Sequence, residues 1–218
     1  MHVTAAQPGS IFNDEVPDGS AEEWRRPSQR FVGLPIARAA LTFARLRHAG
    51  QYREIDHAPF IAHPIEVGWL LCWDGQPEEV IAAGLLHDVL EKTATTRAEL
   101  ATRFGTGIAG LVESVSDDPL VTGYECRKRE LRHRVARAGP DTRAVFAADK
   151  IAKVRELALL PAQGFREPTV HAKLAHYRAS LEMLRAAGEP GLVHLLDAEL
   201  HRALARTVTP GLAGKTAG

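Results

Sequence analysis

Only two cysteines, Cys72 and Cys126, occur in 218 residues, far apart and outside any metal-binding spacing. That excludes a cysteine-ligated metal site, and buried free thiols in a reducing cytoplasm are expected rather than a disulfide. Charge of one sign is not in excess either: 27 Lys and Arg face 27 Asp and Glu. No global field therefore draws the chain to nucleic acid or to an anionic membrane, and an anionic substrate needs a local cluster of cations. No apolar run approaches the ~20 residues of a membrane span. The N-terminus lacks a basic start followed by an apolar core, so it does not read as a signal peptide. A soluble, cytoplasmic protein is expected. Strand patterning is also missing, because β-branched residues are scattered and never alternate over a useful length.

What remains is helical punctuation. Residues 1–30 are rich in Pro, Gly, Ser and acids without periodicity, and read as a flexible tail with Trp24 as a docking point; residues 207–218 read as a second tail. Between them, residues 31–206 read as one all-α domain, without repeat or internal linker. Pro35 opens a helix that stops at Gly50. His63-Pro64 precedes the apolar helix IEVGWLLCW, with Pro64 beginning it and His63 at its N-terminal edge. Pro77, Glu78 and Glu79 start EEVIAAGLLHDVLEK, where proline suits a first helical position and acids suit the positive end of the helix dipole. Thr96 to Glu99 form a capping box for a helix closing at Phe104-Gly105. Further helices cover about 107–116, 124–138, 140–160, 168–187 and 190–206.

Within AAGLLHDVLEKT (82–93), helical spacing aligns His87 with Glu91 on one face and makes Asp88 and Glu91 neighbours. Ionisable groups beside such an apolar surface are costly to bury unless compensated, and a divalent cation bound by imidazole and carboxylate is a natural compensation. An isolated His-Asp pair more often caps a helix end and meets solvent. Two residues elsewhere change that balance. His63 stands at a helix start, and Asp149 interrupts the apolar face of AVFAADKIAKVREL, where it demands a partner. His, then His-Asp, then Asp on separate helices amount to a four-ligand site.

This pattern resembles the HD superfamily of metal-dependent phosphohydrolases, in particular the hydrolase domain of RelA/SpoT-type alarmone enzymes and the small alarmone hydrolases. The matching segments are HAGQYR (48–53), PFIAHPIEV (59–67), AAGLLHDVLEKTATT (82–96), FGTGIAGLVESVSDD (104–118), ECRKR (125–129) and AADKIAKVREL (147–157). The resemblance implies a single HD-domain bundle of about eight to ten helices. It implies a mononuclear site, usually Mn²⁺ though other divalent ions fit, held by His63, His87, Asp88 and Asp149. It further implies removal of the 3′-pyrophosphate from ppGpp or pppGpp, with Glu91 activating or orienting the attacking water. Lys150, of the Asp-Lys pair, and Arg53, near the guanine site, would contact substrate.

The chain departs from the family pattern near the nucleotide. Lys92 stands where the acidic pair has Asp; it could lower the pKa of Glu91, clamp a substrate phosphate, disable the usual reaction, or simply meet solvent at a helix end. Lys153 replaces the Asn of Asp-Lys-x-x-Asn, a nucleotide-contacting position. Glu54 replaces the Lys after Arg53, and Phe60 replaces a Tyr. The metal ligands are untouched, so another nucleotide, such as NADPH, is a rival substrate, and a silenced nucleotide sensor is a further one.

On the basic helix, Arg127 and Lys128 are the phosphate candidates, because guanidinium and ammonium groups suit phosphate oxygens. Arg129, Arg132, Arg134 and Arg137 read as a solvated face. With aromatics at 6% and none among these cations, nucleic-acid binding is disfavoured. His171, His176, Tyr177, His194 and His201 lack ligand spacing and read as surface or interhelix packing. The partner expected is a small-molecule nucleotide, with no nucleic acid and no membrane.

Overall fold

Helices α1 (Pro35–Arg47), α2 (Ala62–Trp73) and α3 (Glu78–Leu86) open the fold, with α1 and α2 both packed on α3. The chain is seen in a computed structural model whose described residues are 31–161, 163–188 and 191–208. Trp24 and both tails, apart from the last turn of α9, lie outside the described residues. A one-turn helix, α4 (Val89–Lys92), leads to α5 (Arg97–Val115), α6 (Tyr124–Arg137) and α7 (Pro140–Ala158). A 3-10 turn at Gly164–Arg166, then α8 (Pro168–Ala186) and α9 (Val193–Val208), complete the bundle. Among the described residues there is no strand, only an isolated bridge between Tyr52 and Pro59. No described helix is long and apolar enough to cross a membrane.

α3 is apolar on all sides, with every residue from Val80 to Leu86 buried, as befits a helix at the centre of a bundle. Two glycines set how close it comes to α2. A Cβ at Gly84 would overlap Leu71 Cδ1, and one at Gly68 would stand 2.7 Å from Leu85 Cδ2. The N-terminus of α3 serves another helix as well: Glu78 Oε1 accepts from the backbone amides of Ile36 and Ala37, at 2.5 and 3.1 Å. First-turn amides have no acceptor within their own helix, and Leu34 at the N-cap has no side-chain oxygen to offer, so an outside carboxylate serves, which also suits the positive end of α1.

α7 runs through the middle and packs against α2, α3, α8 and α9. Its burial is nearly continuous from Val145 to Ala152, and Asp149 and Lys150 are buried along with the apolar residues.

Several boundaries differ from the sequence reading. The helix expected to run unbroken through HDVLEK ends at Leu86, turns at His87 and Asp88, and restarts as α4. The His87 ring causes the break, because Nδ1 donates to Gly84 O at 2.7 Å and so binds a carbonyl of the last turn of α3. α2 begins at Ala62, which places His63 inside its first turn rather than before it. The two helices expected either side of Gly105 form one kinked element, with Gly105 at φ 85°. Thr96 does cap α5 by accepting from Glu99 N at 3.2 Å, but the Glu99 carboxylate pairs with Arg47 of α1. Both cysteines are free, but only Cys72 is buried; Cys126 is exposed on α6.

Candidate metal centre and its cavity

The break after α3 aims His87 across at the first turn of α2. His63 Nε2 and His87 Nε2 stand 3.1 Å apart, and Asp149 Oδ1 from α7 lies 3.2 and 3.5 Å from them. Asp88 Oδ2 approaches the same two nitrogens at 3.7 and 3.6 Å. All four side chains are buried. Two helices and one turn, spanning 86 positions between His63 and Asp149, thus bring together the residues expected from the sequence.

The protonation pattern shows what this cluster can hold. With His87 Nδ1 donating to Gly84 O, the Nε2 of the neutral ring carries a lone pair. His63 Nδ1 lies 2.8 Å from Glu156 Oε1, which favours a proton there and a lone pair on its Nε2. Three acceptors, His63 Nε2, His87 Nε2 and Asp149 Oδ1, then converge, and beside them Asp88 Oδ2 has no hydrogen-bond partner among the described residues. Metal bonds of about 2.1 Å separate neighbouring donors by about 3.0 Å at right angles and about 3.4 Å at the tetrahedral angle. The spacings among His63, His87 and Asp149, 3.1–3.5 Å, match those values, so these three fit a small divalent cation, and Asp88 Oδ2 stands within 3.7 Å of both imidazoles.

Without a cation, protons and ammonium groups take the load. Burial disfavours a charged His63 ring, but Glu156, Asp149 and Asp88 outweigh it and raise its pKa to about 9. An imidazolium His63 then donates from Nε2 into the space between the donors. Burial likewise works against the Asp88 carboxylate, yet His87, Lys153 and His63 hold its pKa well below the ordinary value. Asp149 carries two ammonium groups: Lys150 Nζ on Oδ2, and Lys153 Nζ 2.9 Å from Oδ1. They keep its carboxyl ionised against burial. Lys150 is enclosed over the Phe146 ring, and burial brings its pKa down to about 8 despite Asp149.

Beside the cluster opens a cavity of about 240 Å³. His63, Asp88 and Glu156 reach it on one side, and Lys92, Lys128, Lys150, Lys153 and Lys173 make it strongly cationic. Glu54, Phe60, Lys92 and Lys153, where the chain departs from the pattern it resembles, all line this cavity. Lys92 projects over the Phe60 ring at 5.0 Å, a cation–π placement that the missing tyrosine hydroxyl does not disturb.

Other expected residues are placed differently. Arg53 pairs with Asp56 and lies 3.7 Å from Glu156, so it supports the carboxylate behind His63 rather than lining the cavity. Arg127 and Lys128 converge on Asp117 Oδ2, at 2.9 and 2.8 Å; Lys128 lines the cavity and Arg127 a neighbouring cleft. Glu91 lies in that cleft too. Its Oε1 accepts from Asp117 N at 2.7 Å, and the break at His87 removes the shared helical face on which its alignment rested. The basic face is also less solvated than expected: Arg132 reaches His176 Nδ1 at 2.5 Å, and Arg134 binds Ser116 O.

Sequence reasoning missed Glu156, Lys173, His176 and Tyr177. His176 and Tyr177 are buried and line the cavity rather than merely packing between helices. Burial, then Lys150, Lys128 and Arg132, push the His176 pKa down to about 2, so its ring is neutral. The available signal was modest: Lys173, His176 and Tyr177 share one face of α8 at helical spacing.

A family model described as HD domain matches residues 40–176, more than half of the chain. The protein therefore belongs to the HD-domain family, and its fold is the all-helical HD-domain bundle. A zebrafish (Danio rerio) protein named guanosine-3′,5′-bis(diphosphate) 3′-pyrophosphohydrolase MESH1 is 34% identical over 120 residues, covering 54% of this chain and 66% of that relative. A guanosine-3′,5′-bis(diphosphate) 3′-pyrophosphohydrolase of Aquifex aeolicus is 33% identical over 120 residues, but they are 17% of that longer chain. A solved structure, described as a metazoan ortholog of SpoT that hydrolyzes ppGpp and plays a role in starvation responses, superposes with a TM-score of 0.70 at 26% identity. That match covers 77% of this chain and 95% of the other.

Proposed function

We propose that this chain is a divalent-metal-dependent phosphohydrolase that removes the 3′-pyrophosphate from ppGpp or pppGpp, leaving GDP or GTP. The observation that carries the reading is the convergence of His63, His87, Asp88 and Asp149 at the wall of a lysine-lined cavity. The names of the relatives supply the nucleotide. His63, His87, Asp88 and Asp149 would hold the ion, which we take to be Mn²⁺. Such an ion brings the pKa of a bound water towards neutrality and draws charge from a phosphoryl oxygen.

The chain's own groups do the positioning. Gly84 O and Glu156 fix which nitrogen each imidazole presents, and Lys150 ties the far oxygen of Asp149 so that Oδ1 faces the imidazoles. Lys92 and Lys173 offer ammonium groups to phosphate oxygens in the cavity. For Glu91 to orient the attacking water, its carboxylate would exchange the Asp117 amide for that water. The cytoplasm, where guanosine nucleotides are made and used, is the matching compartment.

One observation favours a second reading. Glu54, Phe60, Lys92 and Lys153 meet in one cavity, so nucleotide choice is where this chain has changed most, and the same chemistry could act on a different phosphorylated nucleotide such as NADPH. The test is a panel of nucleotides incubated with Mn²⁺-loaded protein, with products resolved by ion-exchange chromatography. Pyrophosphate release from ppGpp, abolished by Asp88→Asn, is expected. Intact ppGpp beside one hydrolysed alternative would favour the second reading.

A further inference from the structure

The two oxygens of Asp149 are not equivalent. Oδ1 faces both imidazoles, whereas Oδ2 takes the ammonium of Lys150, a side chain enclosed in the core. Lys150 can keep that partner whether or not an ion is present. Lys153 cannot. Its Nζ stands 2.9 Å from Oδ1, the oxygen that a divalent ion shared with His63 and His87 requires. An ammonium and a divalent cation on one oxygen repel each other strongly where water is largely excluded.

Lys153 also has somewhere to go. It lies one turn beyond Asp149 on α7, its side chain is 28% exposed, and it lines the cavity that holds Lys92, Lys128 and Lys173. A lysine stem has enough rotatable bonds to move its charge between those two places.

We propose that Lys153 is an exchangeable internal cation that couples metal binding to anion binding. It neutralises Asp149 Oδ1 when the centre holds no metal; the divalent ion displaces it, and the ammonium turns into the cavity to meet an anionic ligand. This rests on the metal-centre reading above. Because the metal and the anion both favour the outward lysine, each raises the affinity for the other by the same factor. An uncharged side chain at position 153 could do neither.

The test is Mn²⁺ titration of metal-stripped full-length protein by calorimetry, with and without sulfate, a tetrahedral dianion that binds Mn²⁺ weakly in solution. Lys153→Met is expected to bind Mn²⁺ on the order of tenfold more tightly than wild type without sulfate. Sulfate should tighten Mn²⁺ binding by wild type and have much less effect on the variant. Lys153→Asn serves as a second, shorter replacement. Lys128→Met removes a cavity charge without touching Asp149, and should leave Mn²⁺ affinity nearly unchanged. The inference is overturned if Lys153→Met and Lys153→Asn bind Mn²⁺ no more tightly than wild type. It is also overturned if Lys128→Met matches their gain, or if sulfate acts equally on all proteins. Absence of Mn²⁺ binding in every protein overturns it together with the metal-centre reading.

Discussion

Raising the pH of the metal-free protein removes the proton that stands in for the ion at His63. The folded-state pKa of about 9 exceeds the ordinary 6.5, so folding carries an extra proton between those values. Stability from this source is fully present below pH 6.5 and is lost as pH rises towards 9, at about 1.4 kcal/mol per unit. Three other buried groups shape the window, among them His48, whose burial lowers its pKa and adds to the effect of His176. His176 is held neutral down to about 2, so below pH 6.5 the unfolded chain takes the extra proton and stability rises with pH. Lys150 titrates near 8 rather than 10.5, so above pH 8 its slope opposes that of His63. The metal-free protein should therefore be most stable near pH 6.5, fall until about pH 8, and then level off. The fall over those 1.5 units is about 2 kcal/mol, or roughly 4–8 °C in Tm for a domain of this size. Differential scanning calorimetry in a chelating buffer from pH 5.5 to 9 measures it. With saturating Mn²⁺ the slope between 6.5 and 8 should reverse, because the metal needs the lone pair that deprotonation frees. A metal-free Tm that stays level or climbs between pH 6.5 and 8 would refute the reasoning.

Glu156→Gln removes the carboxylate behind His63 but keeps its shape; Mn²⁺ affinity should fall by about 10- to 100-fold in calorimetry, as for other groups that orient a metal-bound imidazole. Gly84→Ala should destabilise by about 1–3 kcal/mol in urea titration, because its Cβ would overlap Leu71 where α2 and α3 touch. Lys92→Asp removes a cavity cation over Phe60 and should raise KM for ppGpp about tenfold at unchanged Mn²⁺ affinity, about 1.4 kcal/mol of lost binding. A gain in kcat of several orders of magnitude would instead mark Lys92 as the residue that silences the site.

Sequence alone picked out the side chains that cluster here because their chemistry is exacting. A histidine at a helix start, a His-Asp pair ending an apolar run, and a lone Asp within an apolar helix each needed a partner, and the bundle supplies each to the others. The helices were equally legible from Pro, Gly and acid punctuation, and even the bend at Gly105 was marked by its glycine. The break at His87 was not legible. It depends on one imidazole proton binding one carbonyl of the preceding turn, and helical periodicity carries no sign of that bond. Losing the helix there also loses the shared face of His87 and Glu91, and the Glu91 carboxylate instead accepts from the Asp117 amide in the neighbouring cleft.

The surrounding charges were harder still, because a cation's sequence position says little about which anion it meets. Arg53 and Arg127 have the residue type that suits phosphate, yet Arg53 is engaged with Asp56 and Glu156, and Arg127 with Asp117. Lys173, unremarkable in sequence, lines the cavity. Glu156 follows Asp149 by two turns of α7 and so faces the same way, directly behind His63. The same periodicity puts Lys153 between them, one turn from each, on the Asp149 oxygen that faces the two imidazoles. Asp149, Lys153 and Glu156 are therefore a single line of alternating charge along one helix. Replacing the middle residue changes the field at the donor set and in the cavity together, which is why an uncharged residue at position 153 cannot be a neutral substitution in this protein.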